Sequence, residues 1–573
     1  VDPATLSNAV PPRARRRLTL AVHAAAWVAC LLVAAQRIDH ARHEFDSRES
    51  LPADKRRADG NDGHVAVDFG GQFVMGRMLA TGRGRELYDR QAQWRVVRES
   101  FPVAAESPRA GTRAVRHDAE ELMDSLMGSD APESPVAAGA VTLRLCAANP
   151  LAAVTTATVG DGVLSPELVA AVNAPAVGGP LYPPTHGVLY APLTLVNDPQ
   201  AAYAAFQWLT LALTFVAGAA VVRISRGRIW LPVATLAVLL FPGYRSGIDL
   251  GQNQILTLNV LLWGWALLSR GRDGWAGFAW GLLAFKPVWA VAFLAVPLVM
   301  GRWRMLAAMC VTGGSAVLLT LPVVGVRTWF GWLEVGQMAT ATYNVNENWV
   351  TLSRDLAGIV RRATVDFTRP ETERDSPLIR VACSATLVVV AAVTATVYRL
   401  RRNPGSVTGR AAGFLLLGAY LCCFHFMYYD TVLALVPLAA LAADPRRLVG
   451  ESYEVRRPSG RVTAWVAPNS AVLTAVALLL LAENVLMRLA LEVGVRFGFR
   501  GIPAKVGGMP ADAPRLVADT TAYSPNDTWI LLALWAWLAV RLLTRGDDGE
   551  PQLRRAPAEK GVECGPDVVG PHQ

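Results

Sequence analysis

The chain has 573 residues, of which 52% are hydrophobic and 18% charged, with a mean hydropathy of +0.30. A soluble domain carries about 25% charged residues, so the balance is shifted toward lipid and excludes a disordered or fibrous protein. The formal charge of +9 sits in short Arg clusters between apolar runs, which is the pattern of membrane topology; a nucleic-acid partner is not expected. Seven cysteines (Cys30, Cys146, Cys310, Cys383, Cys422, Cys423 and Cys564) show no C-x-x-C spacing, and neither a zinc site nor a disulfide framework follows from them.

The first apolar run, Leu18 to Gln36, follows Arg13, Arg15, Arg16 and Arg17, and the many later spans favour an anchor over a signal peptide. Further runs cover 201 to 222, 229 to 242, 254 to 269, 274 to 285, 287 to 300, 305 to 325, 378 to 398, 411 to 424, 427 to 443, 469 to 490 and 527 to 544. The expected fold is therefore an all-α polytopic membrane protein with about twelve transmembrane helices, several shorter than the ~20 residues that cross a bilayer untilted. With residues 1–17 inside, alternate short loops carry the Arg excess, at Arg223, Arg226 and Arg228, Arg270 and Arg272, Arg302 and Arg304, and Arg399 to Arg410. A module over 18–445, further helices and loops over 446–545 and a disordered cytoplasmic tail over 546–573 complete the expected organisation. The outward segments are then 37–200, 243–253, the turn at 285–287, 326–377, the turn at 424–426 and 491–526.

The long segment 37–200 is unusual for a connector. Its stretch Asp68 to Tyr88 has apolar residues at helical spacing (Phe69, Phe73, Met75, Met78 and Leu79), which predicts a short helix on the membrane surface. Residues 101–178, rich in Ala, Ser, Pro and acidic groups, form an insert with one helical stretch near His117 to Met127.

Polar residues gather on the outward side. Asp68 precedes the proposed surface helix, where a carboxylate is about as readily an N-cap as a catalytic group. Tyr88 and Asp89 close that segment and read alone as a helix stop. In LYPPTHGVLYAPL the prolines force an extended backbone before His186, which in isolation is a solvated loop histidine. Gln252, Asn253 and Gln254 offer amide donors and acceptors where the chain re-enters lipid. Lys286, one of four lysines, interrupts an apolar stretch just before Pro287. A cation at the bilayer centre costs ~2.5 to 3.5 kcal/mol and usually faces a cavity, whereas snorkelling near a turn costs less. His425 stands among Phe424, Phe426, Tyr428 and Tyr429; an aromatic belt explains the rings, not the imidazole, which with Asp430 nearby serves a proton, a phosphate or a structural hydrogen bond.

In order and together, these segments resemble glycosyltransferase family 87, membrane enzymes of the GT-C superfamily that include polyprenyl-phosphate-mannose-dependent mannosyltransferases. The resemblance rests on Asp68 and Phe69 with the closing Tyr88 and Asp89, on Tyr182, Pro183 and Pro184 followed by Ala191, Pro192 and Leu193, on the G-Q-N-Q turn, and on the run WGLLAFKP ending at Lys286 and Pro287. It spans roughly residues 18 to 445. The resemblance implies a GT-C-like bundle and a multi-pass enzyme of the cell membrane with an extracytoplasmic active site. It would transfer a hexose, mannose, from a polyprenyl-phosphate-sugar donor to a hydroxyl of a lipid or glycan acceptor, among membrane lipids.

By position, the family's catalytic acid in the first outer loop is Asp68 and its late-span histidine is His425. The family's middle outer-loop asparagine segment corresponds to YNVNENWVTLSRD, with Asn348 as the matching residue, whereas the 101–178 insert has no counterpart. Asp68 is then the general base, Lys286 and His425 hold the departing phosphate, and Gln252 and Asn253 orient sugar or phosphate. Tyr88, Tyr182, His186 and Asn348 complete the substrate-binding set. One carboxylate suffices for single displacement, which predicts inversion, and the lack of an outer D-x-D element predicts an enzyme without cofactor or metal. The rivals are a polytopic transporter or lipid flippase, which would show inverted repeats, and an inactive scaffold.

Overall fold

The computed structural model describes residues 12–46, 69–100, 141–142, 156–157, 181–367, 369, 371–401, 407–443, 451–456, 462–467, 476, 479 and 525–545. The chain opens with α1 (Pro12–Asp46), α2 (Gly70–Ala80) and α3 (Arg90–Ser100). There follow α4 (Pro184–Tyr190), α5 (Pro199–Ile224), α6 (Leu231–Leu240), α7 (Tyr244–Asp249), α8 (Gln254–Leu268) and α9 (Asp273–Gly281). Next come α10 (Pro287–Met300), α11 (Trp303–Val324), α12 (Val326–Val345), α13 (Glu347–Leu352) and α14 (Leu356–Thr364). After a single turn at Glu371–Arg374 the chain continues as α15 (Pro377–Arg401), α16 (Arg410–Leu421), a 3-10 stretch Tyr428–Ala434, α17 (Leu435–Ala442) and α18 (Asn526–Arg545). The strands among the described residues form two small antiparallel ladders, Val141–Thr142 with Thr156–Ala157 and Glu451–Arg456 with Val462–Ala467.

Every predicted apolar run except 469 to 490 lies wholly or largely on helix; of that run only positions 476 and 479 are described. Among the described residues, five helices are long and apolar enough to cross a membrane: Thr19–Asp39, Ala201–Ile224, Trp303–Val324, Pro377–Leu400 and Asn526–Thr544. Five shorter apolar ones accompany them, so the count of about twelve full spans resolves into long and short helices. The short ones end for local reasons. Pro287 occupies the first turn of α10, where its missing N–H costs nothing, and Gly301 at φ 70° stops it.

One large core unites α1, α5, α6, α8 to α11 and α15 to α18, and includes Leu531, Leu534 and Leu538 of the last helix. Between helices in lipid, packing rather than the hydrophobic effect holds the contact, so small residues matter. On α9, a Cβ at Gly277 would stand 2.2 Å from the Met305 carbonyl oxygen, so α9 and α11 meet backbone to backbone. A smaller cluster joins Phe69, Phe73, Met75 and Met78 to Tyr190, Tyr203, Phe206 and Val324. The expected surface helix thus forms as α2, but protein encloses it: its apolar face meets α4 and α5 instead of headgroups.

Loops read as inward are tied to one another. Arg302 pairs with Asp273 at 3.4 Å, Arg228 donates to the Ala443 carbonyl at 3.3 Å, and Trp265 Nε1 donates to the Val407 carbonyl at 2.9 Å. The outward segment 326–377, expected as a loop, is largely helical as α12 to α14. The 101–178 insert lies outside the described residues apart from its two short strands, as do the tail and the stretch His117 to Met127.

Candidate active site

A cavity of about 790 Å³ opens where five of the outward segments meet. Its wall includes Tyr182, Gln252, Lys286, His425 and Asp430, together with Trp332, Tyr343, Trp349, Ser353, Asp355 and Arg361 from the 326–377 segment. Four residues singled out from sequence therefore reach one space from positions far apart in the chain.

Local chemistry positions each of them. Lys286 is the residue before α10, in the break between a 3-10 turn and Pro287, and it is buried. Its Nζ donates to Asp430 Oδ1 at 2.6 Å and stands 5.7 Å from the Tyr429 ring centroid. Neither a snorkelling lysine nor an isolated cation describes it; its charge is matched in place. His425 follows α16 in an irregular turn, stacks on Tyr343 at 4.6 Å, and places Nδ1 3.7 Å from Asp355 Oδ2. Burial pulls its pKa down, against the Asp355 and Asp430 carboxylates.

Asp355 is itself occupied. It caps α14 by accepting the Gly358 N–H at 2.6 Å, and it also accepts from Ser353 Oγ and, at 3.3 Å, from the Phe426 N–H. Those bonds sew the 353–358 turn to the histidine turn, as does the Arg354 N–H donating to the Phe426 carbonyl at 2.9 Å. Behind them, buried Arg354 pairs with Asp527 of α18 at 3.1 Å, and Thr431 donates to the other Asp527 oxygen at 2.7 Å. The last helix thereby braces the turns that carry His425 and Asp430.

A second layer backs the cavity near Tyr182. Tyr182 donates to Gln252 Oε1 at 2.9 Å, and Tyr88 donates to the Tyr182 carbonyl at 2.6 Å. His186 is wholly buried, not solvated, with its ring stacked on Tyr182 at 3.9 Å and near Tyr190 at 4.9 Å. Its Nε2 lies 3.1 Å from Gln72 Oε1 and its Nδ1 3.4 Å from Asn253 Nδ2, so a neutral ring protonated on Nε2 satisfies both. Burial, reinforced by Lys286, lowers the His186 pKa to about 3, which keeps it neutral. Asn253, His186 and Tyr88 thus support the wall without forming it. Asp89, read from sequence as part of a helix stop, instead caps the start of α3 by accepting the Ala92 N–H at 2.8 Å.

Two candidates escape this description. Asp68 lies outside the described residues, which resume at Phe69. Asn348 falls on α13, but its side chain lies outside the described set. The residues missed from sequence are Tyr343, Ser353, Asp355 and Arg361; the only signal was the S-x-D pattern of Ser353 and Asp355 ahead of a helical run.

The model of glycosyltransferase family 87 matches residues 181–424. The matched stretch contains Tyr182, His186, Gln252, Asn253, Lys286 and Asn348, and ends one residue before His425. No curated protein and no solved structure matches the chain.

Proposed function

With the chain taken as a member of glycosyltransferase family 87, and so as a membrane glycosyltransferase, we propose that it moves a hexose, mannose, from a polyprenyl-phosphate-sugar donor to a hydroxyl of a lipid or glycan acceptor. The site faces the extracytoplasmic side of the cell membrane, because the Arg-rich short loops belong inside. The observation that carries the donor class is the mixed chemistry of the cavity. Lys286, Asp430, His425 and Gln252 line it together with Val288, Val291, Leu333 and Leu387, so one cavity offers both polar partners for a charged head and apolar ones for a chain.

In this reading the Asp68 carboxylate takes the proton from the acceptor hydroxyl as its oxygen attacks the anomeric carbon. The carbon–oxygen bond to phosphate breaks, its electron pair leaves with the phosphate, and the configuration inverts. Protein cations neutralise the departing charge, so the chemistry needs no bound metal. Gln252, held by Tyr182, and Tyr182 itself orient the sugar, with Asn253 and His186 fixing that wall and Asn348 assigned to substrate binding by the family resemblance.

The test is transfer by the purified protein from polyprenyl-phosphate mannose to lipid extract from an envelope lacking this enzyme. The expected result is a mannosylated product with inverted anomeric configuration. Donor binding without any transfer, combined with movement of the lipid across a vesicle membrane, would overturn the reading in favour of a flippase.

A further inference from the structure

We propose that Arg361 is the residue that holds the phosphate of the lipid-linked donor, with the lipid chain running outward between α10, α12 and α15. This inference rests on the donor class proposed above and assigns to it a residue that the sequence alone does not single out.

Other cations at and behind the cavity wall are already paired. Lys286 is neutralised by Asp430 at 2.6 Å, and the cavity-lining Arg380 is engaged by Asp375 at 3.6 Å. Arg354, behind the wall, belongs to Asp527. Arg361 is different. It lines the cavity from the last turn of α14, and among the described residues its side chain has neither an ion pair nor a hydrogen bond. Its Nε is enclosed by protein with no acceptor in reach. A guanidinium that lines the cavity without a carboxylate partner leaves a charge that an anion entering the cavity offsets. The negative end of the helix dipole favours a cation on this turn, but it does not account for an N–H shut away from both water and acceptors.

The surroundings define the anion. Planar, forked donors suit phosphate and carboxylate oxygens. The same cavity is also lined by apolar side chains, Leu387 of α15, Val291 of α10 and Leu333 of α12. Val291 is 59% exposed and Leu333 49% exposed, so no described part of the protein covers these apolar side chains. A free phosphate or a sugar nucleotide gains nothing from them, whereas an isoprenoid chain leaves the cavity along them into lipid.

Binding of polyprenyl monophosphate, the matching polyprenol, inorganic phosphate and a diacyl phosphatidic acid to the purified protein in detergent tests this. The wild type is expected to prefer polyprenyl monophosphate to each of the others by at least about tenfold. Arg361→Gln should lose about 10- to 100-fold in affinity for it and the preference over polyprenol, the range expected when one charge-assisted contact is removed. Arg361→Lys should fall between. Should the glutamine variant not fold, the wild type supplies the readout: phenylglyoxal modifies Arg361, polyprenyl monophosphate protects it, and polyprenol does not. A wild type that binds no polyprenyl monophosphate sinks the donor reading itself. A wild type that prefers it, with Arg361→Gln retaining full affinity or Arg361 unprotected, sinks only the assignment of Arg361. Equal binding of phosphatidic acid assigns the guanidinium to a phospholipid headgroup and overturns the proposal.

Discussion

Lys286 and Asp430, 144 positions apart in the chain, meet at 2.6 Å in the cavity wall with their side chains only 6% and 3% exposed. Removing one partner of such a pair leaves the other charge buried alone, at a cost of about 3 to 5 kcal/mol. Lys286→Met should therefore lower thermal stability sharply, and Lys286→Met combined with Asp430→Asn should recover most of it. Thermal unfolding in detergent measures this. A single variant as stable as the wild type would mean that the pair contributes nothing. If the double variant folds but does not transfer, the lysine has a role in turnover beyond charge balance.

Asp68 supplies the sharpest test of the proposed chemistry. Asp68→Asn preserves size and most hydrogen bonding but accepts no proton, so transfer should fall by ~10² to 10⁴ with donor binding retained. An N-cap role predicts near-normal turnover, because Asn caps a helix about as well as Asp. Parallel turnover, donor-binding and stability measurements on Asp68→Asn and Asp68→Ala separate the two.

His186 makes stability depend on pH in a defined direction. Its pKa is about 3 in the folded chain against an ordinary value of 6.5, so between those values the unfolded state binds a proton that the native state refuses. Stability is fully present above pH 6.5 and declines as pH falls toward 3, with a limiting slope of ~1.4 kcal/mol per pH unit. His186→Gln should flatten the stability–pH curve between about pH 5 and 6.5. An unchanged slope there would place a protonated ring in the native protein.

Gly243 sets where the Asp430 turn sits. It has φ 83°, and a Cβ there would stand 2.6 Å from the Tyr429 carbonyl oxygen and 2.7 Å from that of Tyr428. Gly82 has a similar φ of 78° with open space around it. Gly243→Ala and Gly82→Ala both incur the left-handed backbone penalty of ~1 to 2 kcal/mol, but only the former also displaces backbone. The expected order of melting temperatures is wild type, then Gly82→Ala, then Gly243→Ala; equal losses would show that the Tyr428–Tyr429 backbone yields freely.

Orientation is best probed at exposed positions. Gly70 is buried and would hide a label, whereas Val196 and Arg226 are exposed. In a chain stripped of native cysteines, Cys introduced at 196 should react with an impermeant thiol reagent from outside intact cells, and Cys at 226 only after permeabilisation. The reverse pattern would put the cavity on the cytoplasmic side.

Hydropathy along the chain was enough to locate the helices in lipid and to expose their anomalies. Gln252, Lys286 and His425 stood out in sequence because a polar group within an apolar run is costly wherever it lands, and all three do reach one cavity. Local chemistry also marked the break at Pro287 where α10 starts, whereas Asp89, read as a helix stop, caps the start of α3 instead. What sequence could not supply was partnership. His186 read as solvated and is enclosed; the apolar face of α2 read as membrane-facing and meets α4 and α5; Lys286 read as a cation for the donor phosphate or as a snorkelling one, and it is paired with Asp430. Arg361 is not singled out by any sequence signal. Each outcome depends on how helices rotate and cross, which brings residues 72, 186 and 253, or 286 and 430, within hydrogen-bonding distance. Immersion is a property of a segment and is written locally, whereas the charge left over for a ligand emerges only after tertiary packing has paired the rest.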